Sequence, residues 1–117
     1  MALIRIQNLK ISTFIGFNPE ELVTKQDVII NLEIEVEVPE EAMQADEPLG
    51  IFDYKVITKK IIRYVEAGHF KLLEVLTKRI LQLVMKEEQV RFVRVKVDKP
   101  GALRYTDSVS VEMEASK

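Results

Sequence analysis

From residue 26 to residue 38 the chain alternates between apolar and polar side chains. Val28, Ile30, Leu32, Ile34, Val36 and Val38 fall on one face, and Asp27, Asn31, Glu33, Glu35 and Glu37 on the other. A period of two held over this length predicts a strand with one dry and one wet face. Such a strand needs a sheet to belong to and an apolar layer to cover it. Residues 3 to 15 read as its partner: Ile4 and Ile6 stand in one phase, Leu9 and Ile11 in the other. That phase change predicts a β-bulge near Gln7 and Asn8. Val93, Val95 and Val97 alternate in a third strand, and Val109, Val111, Met113 and Ala115 in a fourth.

Helical spacing fills the middle of the chain. Asp53 is placed to cap a helix whose stripe runs through Ile57, Ile61, Ile62 and Val65 and stops near Ala67 and Gly68. A second stripe follows at Leu72, Leu73, Leu76, Ile80, Leu83 and Val84. The order β-β-α-α-β-β predicts an α+β domain spanning 1–117, a four-stranded antiparallel sheet with two helices on its apolar face. Residues 39 to 52, acidic and proline-bearing, read as mostly irregular. Residues 16 to 25 are long for a hairpin connection, which makes them a candidate functional loop. On the wet face, Glu33, Glu35, Glu37, Glu112 and Glu114 face Arg5, Arg94 and Lys96, a solvated or tunnel-lining pattern of opposite charges. Leu81 stands on the otherwise polar side of the second helix, which suggests cover by another subunit.

Composition narrows function by exclusion. Seventeen basic against nineteen acidic residues, a net charge of -2, give no field for a phosphate backbone, so nucleic acid is not an expected partner. The chain has no cysteine, which removes disulfides, thiolate metal sites and cysteine nucleophiles, and its single histidine argues against a histidine metal site. With no signal-like start and no long apolar run, a cytoplasmic protein that does not meet the membrane is expected.

Several residues could carry chemistry, each with an ordinary structural alternative. Glu74 sits in the first turn of the second helix, where free N–H groups and the helix dipole favour negative charge; equally, it could pair with Lys78 one turn on. Lys99 continues the phase of Val93, Val95 and Val97, so its side chain starts toward the apolar face. There it is either a snorkelling lysine or a desolvated amine suited to general-base work. Pro100 and Gly101 fix it at a strand end. Tyr54 opens the first helix and could simply pack beside Ile57 and Thr58. Glu21, with Glu20 beside it, lies in the long first loop. Arg104 follows Lys99 closely and is capable of bidentate anion binding. His69, in the interhelical turn, reads as structural.

Taken together, Phe52-Asp53-Tyr54, Lys71-Leu72-Leu73-Glu74-Val75-Leu76-Thr77 and Val97-Asp98-Lys99-Pro100-Gly101-Ala102 resemble the dihydroneopterin aldolase and epimerase family, over about Ile4 to Val111. The resemblance implies a T-fold whose sheets join side by side into tetrameric rings, two rings making an octamer, with sites between subunits. It implies a pterin substrate, no cofactor and no metal. By the same resemblance Glu74, with Leu73 beside it, anchors the pterin, whose 2-amino group and N3–H offer two adjacent donors to a carboxylate. Lys99 is then the base, and Tyr54 a proton relay reaching into a neighbour's site, with Phe52 and Asp53 along the pterin edge. Glu21 faces the pterin ring nitrogens. Thr77 and the run Arg104-Tyr105 with Asp107-Ser108 tilt toward the branch that epimerises C2' of 7,8-dihydroneopterin triphosphate, with Arg104 holding part of the triphosphate. The run Lys99-Pro100-Gly101-Ala102 is as much aldolase as epimerase. Aldolase is therefore the first alternative, and a non-catalytic pterin- or purine-binding module the second.

Overall fold

The computed structural model describes all residues, 1–117. The chain runs β1 (Ala2–Ile15), α1 (Pro19–Val23), β2 (Gln26–Val36), α2 (Glu40–Ala45), α3 (Tyr54–Glu66), β3 (His69–Phe70), α4 (Leu73–Met85), β4 (Val90–Pro100) and β5 (Ser108–Ser116). The class is α+β as expected, and β1, β2, β4 and β5 pair antiparallel in the order β1-β2-β4-β5. The sheet nevertheless has five strands and is mixed. β3 joins the outer edge of β1 in parallel, Phe14 opposite His69 and Ile15 opposite Phe70. Two residues cannot display a period, so this strand left no trace in the sequence pattern. Likewise α1 and α2, five and six residues long, occupy stretches expected to be loop.

The alternation in β2 buries Val28, Ile30, Leu32, Ile34 and Val36 almost completely, and Val93, Val95 and Val97 of β4 beside them. The bulge falls between Ile6 and Leu9, where Asn8 takes a left-handed φ of 56° and its N–H donates to Asn31 Oδ1 at 2.8 Å. Asparagine tolerates that conformation better than most residues, so the phase change is built into the sequence. Asp53 caps α3 by accepting from the N–H groups of Lys55 and Val56. At the other end of α3, buried Thr13 donates its hydroxyl to Val65 O at 2.6 Å, tying the helix end to β1. On the wet face Arg94 lies between Glu33 and Glu114 on the flanking strands and reaches both, at 3.4 and 3.3 Å.

Leu81 corrects one expectation. It belongs to the core with Leu76, Ile80 and Val84. Helix α4 packs against β4, β5 and α3 at once, so its buried arc widens to take in Thr77 and Leu81. It offers no sign of a covering subunit.

Candidate active site

Three segments meet at one end of the sheet. β1 and β4 flank β2, and both end beside its first residues: Thr13 lies opposite Gln26, so that Phe14 and Ile15 run past β2, and Asp98 lies opposite Ile29. The short β3 then draws the start of α4 alongside, and the N–H of Gly16 donates to Phe70 O at 2.8 Å. Between them lies a cleft of about 330 Å³, lined by Gly16 and Glu21, by Lys71 to Glu74, and by Lys99, Ala102 and Val109. That volume is within the range of small-molecule sites, roughly 300–1,000 Å³.

Glu21 is the most constrained side chain in the cleft. Its Oε1 accepts from the N–H of Asn18 at 3.3 Å, the reciprocal half of a capping box on α1. Its Oε2 accepts from Gln26 Nε2 at 3.0 Å and from the ammonium of Lys99. The two charged side chains are only 18% and 13% exposed. The hydrogen bond from Lys99, then that from Gln26, hold the Glu21 carboxyl down at about 2 against an ordinary 4.5; desolvation pulls the other way and loses. It is Glu21, not Glu20, that lines the cleft and holds Lys99, and the pairing shows what a lysine on the apolar phase of β4 is doing there. Lys99 does not snorkel; it is paired.

Gly16 makes room for that pair. Its φ is +121°, and a Cβ there would lie 2.2 Å from the carboxylate of Glu21. Both Gly16 and Gln26 were missed in the sequence. Gln26 did leave a signal, because it stands in the phase of Val28 and Ile30 and so begins on the core side.

Glu74 lines the same cleft and is exposed, without an ion pair to Lys78 or any hydrogen bond within the chain. The surface-pair alternative is thereby removed. Leu73 also lines the cleft. The first-turn N–H groups of Leu73 and Glu74 have no helical acceptor. Thr77 is turned inward, its hydroxyl donating to Leu73 O at 2.8 Å.

The other expected site residues are elsewhere. Helices α3 and α4 run antiparallel, as Arg79 to Tyr64 at 3.1 Å and Lys60 to Glu87 at 3.2 Å require. Tyr54 therefore sits at the far end of the helical layer, roughly 20–30 Å along the axis from Glu74. It is 53% exposed, and its phenol has no partner in the chain. Asp53 is spent on the cap of α3, and Phe52 is buried in the core. Arg104 is exposed in the β4–β5 connection, its guanidinium 5.5 Å over the ring of Tyr105, and it does not line the cleft. One chain thus unites Glu21, Leu73, Glu74 and Lys99, and leaves Tyr54, Asp53, Phe52 and Arg104 apart.

Comparison with known proteins matches this geometry to a family. A sequence model described as FolB: Dihydroneopterin aldolase matches residues 4–114. A dihydroneopterin triphosphate 2'-epimerase of Pseudomonas aeruginosa is 46% identical over 113 residues, covering 97% of this chain and 91% of the relative. The enzyme of that name from Escherichia coli strain K12 is 39% identical, covering 96% and 92%. Among solved structures, E. coli dihydroneopterin aldolase in complex with neopterin superposes with a TM-score of 0.90 at 25% identity, over 99% of this chain and 100% of that one.

Proposed function

The chain belongs to the dihydroneopterin aldolase family, and from that premise we propose that it is an enzyme inverting C2' of 7,8-dihydroneopterin triphosphate to give the dihydromonapterin triphosphate. The observation that carries this reading is the cleft itself, where an ionised, locked Glu21–Lys99 pair shares about 330 Å³ with the unpartnered carboxylate of Glu74. Identity of 46% over nearly the whole chain to a relative named as the epimerase favours that branch.

The chemistry follows from the substrate. C2' of the side chain has no neighbouring carbonyl, so removing its own proton has no electron sink. Taking the proton of the 2'-hydroxyl instead breaks C1'–C2'. The bonding pair moves into the C6=N5 imine, N5 gains a proton, and a two-carbon aldehyde bearing the triphosphate is set free beside an enamine. Re-addition of C1' to the opposite face of the aldehyde inverts C2'. Lys99, an ammonium in the resting cleft, first releases a proton to solvent; as the neutral amine it takes the hydroxyl proton through a bound water, while Glu74 with Leu73 clamps the pterin and Glu21 positions the amine and faces the ring nitrogens. The route requires no cofactor or metal. Tyr54 arrives from a neighbouring subunit as the proton relay, with Asp53 and Phe52 behind it. Its 53% exposure at the far end of the helical layer suits that role. The subunits form T-fold rings, two tetramers to an octamer, each chain a single domain of the cytoplasm.

A second reading is aldolase, in which C1' is protonated and the aldehyde leaves. It is favoured by the Lys99-Pro100-Gly101-Ala102 run and by the likeness to the aldolase structure. Incubation with dihydroneopterin and with its triphosphate, followed by chromatography, tests both. Monapterin forms support the epimerase, and 6-hydroxymethyldihydropterin as the sole product supports the aldolase. Unchanged substrate with retained pterin binding leaves a binding module.

A further inference from the structure

The cleft has an unused cation. Four ionisable side chains line it: Glu21, Lys71, Glu74 and Lys99. Glu21 and Lys99 neutralise each other, and Glu74 is the carboxylate that receives the pterin donors. Lys71 remains, exposed and in no ion pair. It stands where the cleft opens into a neighbouring groove of about 410 Å³ along the outer flank of α4, past Leu72, Val75 and Arg79 on one side and Tyr64 and His69 on the other. No aspartate or glutamate lines that groove. In a chain with a net charge of -2, a cavity with two cations and no carboxylate is a local departure from the average.

We propose that this groove, from Lys71 to Arg79, binds the triphosphate of the substrate; the proposal rests on the reading of the cleft as the pterin site. The residues suit polyphosphate. Arg79 donates one N–H to Tyr64 Oη at 3.1 Å, which fixes the guanidinium and leaves its other donors free. The tyrosine accepts that bond, so its own proton is available to a phosphate oxygen. Lys71 supplies a point charge at the junction. From Leu72 to Arg79 the helix rises about 10 Å, a span that a triphosphate and two long cationic side chains bridge. Arg104, its guanidinium 5.5 Å over the ring of Tyr105, lines neither the cleft nor the groove.

The groove also acts on the outcome of the reaction. After C1'–C2' breaks, the aldehyde carries the triphosphate and the pterin no longer holds it. Cations anchoring that tail keep the fragment beside the enamine long enough to turn over and re-add. A substrate without the triphosphate lacks this tether, so its aldehyde escapes.

The test uses inorganic tripolyphosphate as the probe and the variants Lys71→Gln, Arg79→Gln and both together. Both residues are exposed, and circular dichroism checks the fold. Calorimetry is expected to show tripolyphosphate binding by the wild type that weakens with salt and falls at least tenfold in the double variant. With dihydroneopterin triphosphate, the ratio of epimerised to cleaved product is expected to fall by a similar factor, and restoration by Arg79→Lys is expected to be partial. Absence of tripolyphosphate binding by the wild type, or equal binding by the double variant, overturns the groove. If the wild type epimerises the triphosphate and the double variant keeps the same product ratio, the groove is wrong and the epimerase reading stands. If the wild type converts neither pterin, the epimerase reading fails and the calorimetry still decides the groove.

Discussion

The Glu21–Lys99 pair yields a stability prediction that can be worked from the structure. Holding the carboxyl at about 2 rather than 4.5 corresponds to about 3 kcal/mol in favour of the folded state at neutral pH. Lys99 is the largest cause but shares the effect with Gln26 and Asn18, so about 2 kcal/mol is a fair allotment to the pair itself. The side chains are 18% and 13% exposed, too enclosed for solvent to cancel it. The sign is set by the depressed carboxyl. The contribution is complete above the unfolded value near 4.5 and is lost as pH falls through about 2. At pH 3 roughly 40 per cent of it remains. A double-mutant cycle reads the pair directly: wild type, Glu21→Gln, Lys99→Met and the double variant, unfolded in urea at one protein concentration. A coupling of about 2 kcal/mol at pH 7 is expected, falling to below 1 kcal/mol at pH 3. In the same set, Lys99→Met is expected to lower turnover a hundredfold or more, the ordinary reach of a general base. A coupling under about 0.5 kcal/mol at pH 7, or one indifferent to acid, would refute the pair as described.

Glu74→Gln is expected to weaken pterin binding about tenfold or more, because the amide sets an N–H against a pterin donor and leaves it unpaired, at about 1–3 kcal/mol; calorimetry with neopterin checks this, and unchanged affinity places the anchor elsewhere. Mixed oligomers of Tyr54→Phe and Glu74→Gln subunits are expected to recover part of the activity that each lacks alone, since one site type in the mixture draws both intact residues; no recovery in verified hetero-oligomers counts against sites shared between chains. Gly16→Ala is expected to separate Glu21 from Lys99, since the new Cβ falls 2.2 Å from the carboxylate on a backbone at φ +121°. Its signature is a carboxyl of Glu21 that titrates closer to 4.5, read by carbon NMR, and a value still near 2 would show that the loop accommodates the methyl group.

What the sequence made legible follows the length of each signal. The alternation in β2 and β4, the phase change at Asn8 and the cap at Asp53 each involve a pattern or a residue type that admits one local structure, and all are where they were expected. β3 was invisible because a pair of residues has no period, yet it is what carries α4 to the cleft. Leu81 was misplaced because a stripe drawn for a helix with one neighbour is too narrow for a helix packed on three. Within the site, Glu74 and Lys99 were legible as a carboxylate at a helix start and a lysine in an apolar phase. Their relation to Glu21 was not, since it depends on a contact between residues 78 positions apart in sequence. Gly16 was readable only as a glycine in a loop until Glu21 was seen packed on it.

The division of the site residues bears on how the molecule assembles. Glu74 and Tyr54 lie at opposite ends of the helical layer, so one chain cannot bring them together without unfolding α3. Two chains related by a two-fold axis can set the Tyr54 end of each on the cleft of the other, because in such a contact residue i meets j while j meets i, and two sites are completed at once. A head-to-tail contact also sets the Tyr54 end of one chain on the cleft of the next, and when repeated it must either close into a ring or grow into a filament. The sheet supplies matching edges for such a contact. β3 covers only Phe14 and Ile15 of β1, which leaves the rest of that strand open on one side of the molecule, and β5 is open on the other. Exposed apolar residues occur at both ends, Phe17 and Leu72 at the cleft and Ile51, Tyr54 and Val56 at the far end. Leu81 is buried and adds nothing to the case, so the proposed ring rests on these open edges, which strands of a neighbouring chain would satisfy, and on the proposed relay from Tyr54, which would need the same neighbour.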